Sequence, residues 1–261
     1  MSIILKTEAQ IELIRKSGQA ATDVLQRMGE AVKPGISTAD LDEIARQMIK
    51  KYSGISSFLG YRPTHHPAYP ATICASINEE VVHGIPGKQR ILKDGDTIGL
   101  DFAIVLGGYH GDTAFTFPVG KVSEEAQKLL DVTKESLYLG IAEAKVGARL
   151  GDVGHAVQAY VESHGYSVVR DLCGHGIGRQ LWEEPQVPNY GKPGQGQRLK
   201  PGMVIAIEPM VCTGGYEVRV LDDQWTTVTL DGKWSAHFEH TVAILSDGPE
   251  ILTKNPTLWG R

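Results

Sequence analysis

Four carboxylate residues stand in or directly beside apolar, strand-like runs of the sequence: Asp101, Asp112, Glu208 and Glu239. An unpaired carboxylate in such surroundings is costly, so its charge must be compensated. Few cationic residues are nearby, while His175 lies in the glycine-rich segment CGHGIG, which we expect to be a turn. Carboxylate and imidazole donors suit a divalent metal, and four carboxylates favour two ions bridged by oxygen. For each acid alone, the alternative is a solvated position at a strand end.

A hairpin is predicted around the first two acids. Asp101 stands in the apolar run Thr97–Val105, and Asp112 follows beyond Leu106-Gly-Gly108, a connection typical of a tight β-turn. We expect the returning strand over Ala114–Val119. Adjacent antiparallel strands would place both acids on one face of a sheet.

Other catalytic motifs are missing from the sequence. H-E-x-x-H, G-x-S-x-G and G-x-x-x-x-G-K-[ST] do not occur, which excludes zincins, serine hydrolases with a nucleophile elbow and P-loop enzymes. CGHGIG lacks the G-x-G-x-x-G spacing of dinucleotide-binding folds. His83, in VVHGIP, is either functional or a turn histidine bonded to backbone. The remaining histidines, including His110 and His237, are expected to be structural or solvated.

Periodic apolar residues predict two helices near the start of the chain. The first begins with a capping box at Thr7–Gln10 and ends at Lys33–Gly35. The second begins after Thr38 and ends near Gly54, with an amphipathic apolar stripe. A loop and then a strand are expected next, over Gly60–Pro70 and Thr72–Asn78.

The second half of the chain repeats features of the first. A shift of 107 residues aligns LKDGDTIGLD, which ends at Asp101, with LKPGMVIAIE, which ends at Glu208. The repeat predicts a single domain over residues 1–261, in which two halves, at about 33–120 and 145–245, face each other about a pseudo-two-fold axis. Further recurring pairs are Lys33-x-Gly35 with Lys145-x-Gly147, His83-Gly-Ile with His175-Gly-Ile, and His110-x-Asp112 with His237-x-Glu239.

Composition narrows the class of protein. The chain has 261 residues, 41% hydrophobic and 22% charged, which is typical of a globular protein, and its net charge of −5 shows no nucleic-acid footprint. Three widely spaced cysteines form neither a disulfide framework nor a Cys-x-x-Cys zinc site. No signal peptide or apolar run of membrane-spanning length is apparent. We therefore expect a cytoplasmic protein without nucleic-acid or membrane partners.

The segments around the candidate residues resemble those of the type I methionine aminopeptidases, which are pita-bread metallopeptidases. These segments are NEEVVHGIP, HGDTA, CGHGIG, EEPQVPNYG, AIEP and FEHT, and the resemblance covers about Thr7 to Thr253. It implies an α/β (α+β) pita-bread fold with two pseudo-symmetric helix and strand halves around a central antiparallel sheet. It also implies a dinuclear metalloaminopeptidase that removes the initiator methionine from nascent proteins when the second residue is small.

The resemblance assigns a role to each candidate. It implies that Asp112 and Glu239 bridge two divalent ions, that Asp101 completes one site, and that His175 and Glu208 complete the other. Glu208 would also act as general acid and base. The metal identity stays open among Co, Mn, Fe and Zn.

Substrate contacts are implied for five residues. His83 would contact the peptide or the intermediate. Tyr69, Cys74 and Trp225 would line the methionine pocket, with ordinary core packing as the alternative. Trp182 stands seven residues after His175, where the best-known members carry a histidine that contacts the substrate carbonyl. We expect its indole N–H to serve as the donor there; the alternative is that Trp182 turns into the cleft wall and narrows the space for the second substrate residue.

The resemblance also implies the partners. These are the N-termini of nascent polypeptides, at the ribosome, and the enzyme is expected to be a monomer. Two rival functions use the same fold: an exopeptidase of other specificity, such as Xaa-Pro, and a non-catalytic peptide-binding module that has lost its metal ligands.

Overall fold

The structure is a computed structural model that describes residues 2–64 and 66–260. The described helices are α1 (Glu8–Gly29), α2 (Thr38–Lys51), α3 (Glu124–Glu143), α4 (Leu150–Ser163) and α5 (Pro256–Trp259). The described strands are β1 (Ile55–Ser56), β2 (Cys74–Ile77), β3 (Glu80–Val82), β4 (Thr97–Leu106), β5 (Tyr109–Pro118), β6 (Ser167–Val168), β7 (Gly174–Gly176), β8 (Glu183–Val187), β9 (Val204–Ile207), β10 (Met210–Cys212), β11 (Val218–Val220), β12 (Thr227–Thr229), β13 (Ser235–His237), β14 (Glu239–Leu245) and β15 (Gly248–Ile251).

A nine-stranded sheet occupies the centre of the molecule. Its main path runs β1-β4-β5-β14-β9-β7-β8, while β2 pairs with β4 and β15 pairs with β14. The pairings in this sheet are antiparallel. The predicted mixed fold with a central antiparallel sheet is therefore confirmed. Two three-stranded sheets, β13-β10-β6 and β11-β12-β3, flank it.

The helices cover the central sheet with their apolar faces. α1 begins at the predicted capping box, in which Thr7 and Gln10 satisfy each other's backbone N–H groups, and it packs on β4 and β5. α2 is capped by Ser37 and begins at Thr38, one residue before its predicted start, and it packs against α1. α3 and α4 pack against each other and precede β9 and β14 in the chain. In the same way, α1 and α2 pack against each other and precede β4 and β5. The limits of the sequence repeat stay a prediction.

The predicted hairpin joins β4 to β5. Its two turn residues, Gly107 and Gly108, have φ values of 59° and 80°, the left-handed conformation that such a turn requires. The returning strand begins at Tyr109 rather than at Ala114, so its predicted start was wrong. His110, Gly111 and Asp112 interrupt the apolar alternation that indicates a strand, yet each of them pairs with a residue of β4. Gly111 approaches α1 so closely that a Cβ would lie 2.3 Å from the backbone carbon of Ser17.

The glycine-rich segment around His175 is a strand and not the predicted turn. Gly174 and Gly176 flank His175 in β7, which lies between β8 and β9. A Cβ on Gly174 would come within 2.3 Å of the Ala206 carbonyl oxygen, and one on Gly176 within 2.2 Å of that of Glu184. The glycines therefore allow three strands to approach closely.

None of the helices within the described ranges is both long enough and apolar enough to cross a lipid bilayer.

Candidate metal centre

The central strands bring the predicted acids to one face of the sheet. Asp101 on β4 lies opposite Ala114 on β5, and Ala114 lies opposite Glu239 on β14. Asp112 is two residues from Ala114 and therefore points to the same face. β9 pairs with β14 up to Ile207, so Glu208 follows at the level of Glu239. Four acids separated widely in sequence thus converge at the middle of the sheet.

A three-residue cluster forms the core of this site. One ligand atom each from Asp112, His175 and Glu239 lie within 4.8 Å of one another, and all three residues are buried. His175 Nε2 lies 3.8 Å from Asp112 Oδ2 and 3.6 Å from Glu208 Oε1. Three of the five predicted ligands therefore form one cluster, and Glu208 lies beside it.

Within the described part of the chain, no Lys or Arg side chain compensates the charge of the acids. Asp101 Oδ1, Asp112 Oδ1 and Glu239 Oε1 are buried and accept no hydrogen bond from the described residues. Across residues 2–64 and 66–260, no Lys or Arg forms an ion pair with any of the four acids. Orphaned buried oxygens in such a group are the donors that a divalent cation takes.

Burial and mutual repulsion shift the proton affinities of the acids. Burial raises the pKa of Asp101 to about 7, with Glu208 adding to the rise and His237 opposing it. Burial, Asp101 and Glu208 raise the pKa of Asp112 well above its usual range. Burial, Asp112 and Glu208 do the same for the pKa of Glu239. These shifts are those expected for clustered carboxylates without a cation.

Hydrogen bonds orient the ligands. His175 Nδ1 lies 2.9 Å from the Gly176 carbonyl, so Nδ1 carries the proton and the Nε2 lone pair faces the acids. Burial lowers the pKa of His175, which favours this neutral form. Thr241 Oγ1 donates to the Asp112 carbonyl at 2.8 Å, and Thr113 Oγ1 donates to the Glu239 carbonyl at 2.9 Å. The strand positions that carry the acids are thus cross-linked by threonines.

His83 stands at the wall of the cleft beside this centre. It follows β3 in the left-handed backbone region, with φ 60°. A cavity of about 260 Å³ lies in front of it. Burial lowers the pKa of His83 to about 4, so its ring is neutral at pH 7. A neutral imidazole has one donor and one acceptor nitrogen for a bound peptide. Among the other residues that line this cavity are Asp101, Cys173, Trp182, Glu208 and His237.

An aromatic pocket adjoins the cleft. The predicted residues Tyr69, Cys74 and Trp225 line it, together with Phe58, Tyr61, His83 and Trp182. It has a volume of about 10 Å³, room for one water molecule, so a larger side chain must displace part of its wall. Sequence reasoning missed two residues of the segment FLGY: Phe58, just before the predicted loop, and Tyr61, within it.

Trp182 separates the aromatic pocket from the cleft and lines both. Its ring meets the Tyr61 ring edge-on at 4.4 Å between centroids, and the His175 ring at 6.1 Å. Trp182 thus bridges the pocket wall and the metal centre.

His237 is a site residue that sequence reasoning treated as structural. His237 is buried, and its Nε2 lies 3.3 Å from Glu208 Oε2. The geometry of this contact is not that of a hydrogen bond, and Nε2 has no other hydrogen-bond partner among the described residues. The recurrence of His-x-Asp as His-x-Glu was the available signal. Its counterpart His110 instead contacts Ser57 Oγ through Nδ1 at 2.8 Å.

Comparisons with known proteins match this geometry. The profile of metallopeptidase family M24 matches residues 12–246. A methionine aminopeptidase from Clostridium acetobutylicum is 53% identical over 96% of this chain and 98% of its own length. The crystal structure of a methionine aminopeptidase from Thermotoga maritima has a TM-score of 0.94 at 44% identity and covers 97% of this chain and 100% of that one. An Xaa-Pro dipeptidase from Bacillus anthracis shares only the fold, with a TM-score of 0.77 at 21% identity over 97% of this chain and 62% of that one.

Proposed function

Because this chain belongs to metallopeptidase family M24, we propose that it is a metal-dependent aminopeptidase that removes N-terminal methionine from polypeptides whose second residue is small. One observation carries the proposal. A cluster of uncompensated acids with an imidazole lies next to an aromatic pocket, and Trp182 lines both the pocket and the adjoining cleft.

Two divalent ions fit the donor set. Asp112 and Glu239 would be shared between them, Asp101 would complete one site, and His175 with Glu208 the other. When bound, such ions polarise a carbonyl and lower the pKa of water, so the protein needs no nucleophile of its own. Carboxylates and one imidazole accept Mn, Fe, Co or Zn.

Glu208 serves as the general acid and base. Its Oε1 faces His175, whereas its Oε2 faces His237, so the two oxygens have different surroundings. Oε2 takes the proton of the attacking water and returns it to the amine that leaves. His83, neutral and on the cleft wall, donates a hydrogen bond to the substrate as charge develops.

The methionine side chain enters the aromatic pocket. Aromatic rings with the Cys74 thiol give an apolar cup that suits a polarizable thioether. The free α-amino group then lies near Asp101, which restricts cleavage to the terminal residue. Trp182 presents its indole N–H to the substrate carbonyl.

The substrates are the N-termini of newly made chains, met at the ribosome in the cytoplasm, since initiator methionine is present on chains as they are synthesised. The site residues come from a single chain, so a monomer suffices. The cytoplasmic location agrees with the three free cysteines, Cys74, Cys173 and Cys212, because thiols usually stay unpaired in a reducing compartment.

A peptide assay tests the proposal. Metal-loaded protein is expected to release methionine from Met-Gly-Met and to leave Ala-Pro-Ala intact, and a chelator should abolish turnover. The assay is repeated with Mn, Fe, Co and Zn. Preferred cleavage of Ala-Pro-Ala would assign an Xaa-Pro exopeptidase, and binding of both peptides without turnover under every metal would assign a non-catalytic module.

A further inference from the structure

A buried ion pair joins the N-terminal segment to the loop that carries Trp182. Lys6 Nζ lies 2.7 Å from Glu183 Oε2, and the two side chains are only 3% and 7% exposed. Lysine is almost never buried this fully unless it is paired. The backbone N–H of Lys6 also donates to the Gly202 carbonyl at 2.7 Å. The positive charge is therefore held at a defined place behind the loop.

Glu183 uses both of its carboxylate oxygens. Oε2 meets Lys6, while Oε1 accepts a hydrogen bond from the backbone N–H of Gln180 at 3.2 Å. At the start of the loop, a Cβ on Gly178 would come within 2.6 Å of Glu183 Oε1 and 2.8 Å of Lys6 Cε. The paired side chains thus form the surface on which residues 178–182 rest.

Trp182 directly precedes Glu183 in the chain, but its side chain lies on the cleft side of the loop and not beside Lys6. Its ring contacts those of Tyr61 and His175, at the boundary between pocket and cleft. Because Glu183 Oε1 holds the Gln180 N–H, displacing the Glu183 carboxylate would release a contact that fixes the backbone before Trp182.

We propose that Lys6 is a positioning residue for the substrate cleft: by neutralising Glu183 behind the loop, it holds Trp182 in place. This inference rests on the proposed function, because the position of Trp182 matters to turnover only if the cleft cleaves methionyl peptides. Lys6 does not line the cleft.

The physics of buried ion pairs separates this role from simple stabilisation. Removing one partner leaves an unpaired buried charge, whereas replacing both by neutral groups of similar volume is often tolerated. Lys6→Met leaves the Glu183 carboxylate charged and forces it towards water. Lys6→Met combined with Glu183→Gln removes that charge and keeps an acceptor for the Gln180 N–H. The two variants therefore differ mainly in the charge behind the loop.

The experiment compares these variants in the full chain. For Met-Gly-Met, Lys6→Met is expected to lower kcat/KM by about tenfold or more, because small displacements near a reaction centre have effects of this size. Hydrogen exchange should accelerate in residues 176–187, while metal content stays unchanged. The double variant should recover most of the turnover and the protection. The control is Lys145→Met, which removes an exposed pair with Glu143 at 3.9 Å and should change neither readout.

Three results would overturn the positioning role. These are unchanged kinetics and local exchange in Lys6→Met despite a lower melting temperature, a double variant as impaired as Lys6→Met, and an equal effect of Lys145→Met. If Lys6→Met does not fold, Glu183→Gln is compared with the parent instead. It is expected to lower kcat/KM for Met-Gly-Met and to accelerate hydrogen exchange in residues 176–187, because it leaves the Lys6 charge unpaired. Parent protein that releases no methionine would instead refute the proposed function, and the exchange measurement would still decide whether Lys6 holds the loop.

Discussion

Replacing Asp101 by asparagine is expected to stabilise the protein when it is free of metal and to weaken its response to metal. Burial raises the pKa of Asp101 from 3.8 to about 7, and Asp101 Oδ1 has no hydrogen-bond partner. Between these two values the folded state holds a proton that the unfolded chain releases. The metal-free parent should therefore gain stability as the pH falls through this window, and it should lack that gain above pH 7.

The size of the effect follows from the shift. At about 1.4 kcal/mol for each pKa unit, the raised pKa of Asp101 destabilises the folded state by on the order of 4 kcal/mol at pH 8, where the group is charged, and by about 2 kcal/mol at pH 5.5, where it takes up a proton. Asp101→Asn removes the charge, so its free energy of unfolding with chelator should exceed that of the parent by roughly 2–4 kcal/mol at pH 8. The advantage should shrink at pH 5.5.

Metal should reduce the stability advantage of the variant over the parent. A ligand at 100 times its dissociation constant stabilises the native state by about 2.7 kcal/mol, and the variant, which lacks one predicted ligand, should gain less. Urea unfolding followed by circular dichroism, with chelator or with excess Mn²⁺ at both pH values, measures each difference. Asp131→Asn, on the exposed face of α3, is the control and should behave as the parent. An Asp101→Asn variant that is no more stable than the parent in chelator at pH 8 would refute the reasoning.

Four further outcomes are expected. Glu239→Ala should lose both bound metal, measured by elemental analysis, and turnover, because a shared acid serves two ions; full activity of the metal-free variant would contradict this. His83→Ala should keep its metal but lose roughly 10²-fold in kcat, whereas a loss of metal would make His83 a ligand. Trp182→Phe should lower kcat for Met-Gly-Met by about tenfold or more, and Trp182→His should restore it; an unchanged kcat with altered tolerance for bulky second residues would make the indole a steric wall. His240 has its pKa lowered by burial to about 3, so the unfolded chain binds the extra proton as the pH falls below 6.5. His240→Gln should therefore lose about 2 kcal/mol less stability than the parent between pH 7 and pH 5, and identical losses in urea midpoints would disprove that assignment.

Local features were predictable where a local physical signal exists. The capping box at Thr7 and the glycine turn at Gly107-Gly108 act over four residues or fewer, and the structure has both. The start of β5 was missed because His110, Gly111 and Asp112 interrupt the apolar alternation. Those residues are stabilised by pairing with β4 and by contact with α1, which no local pattern records. The strand around His175 was missed for a similar reason, since glycines typical of turns also permit close strand packing.

The amino-acid sequence alone determined the chemistry of the donors and, through the hairpin, the shared face of Asp101 and Asp112, because residue type and turn chemistry are local properties. Tertiary structure decided which distant segments meet. Pairing of β5 with β14 brings Asp112 and Glu239 together, and packing of the FLGY segment beneath Trp182 adds Phe58 and Tyr61 to the pocket. His237 beside Glu208 and Lys6 beside Glu183 likewise depend on contacts between remote parts of the chain. Such contacts are stabilised by burial and by charge pairing in the assembled core, and these energies exist only once the segments have come together.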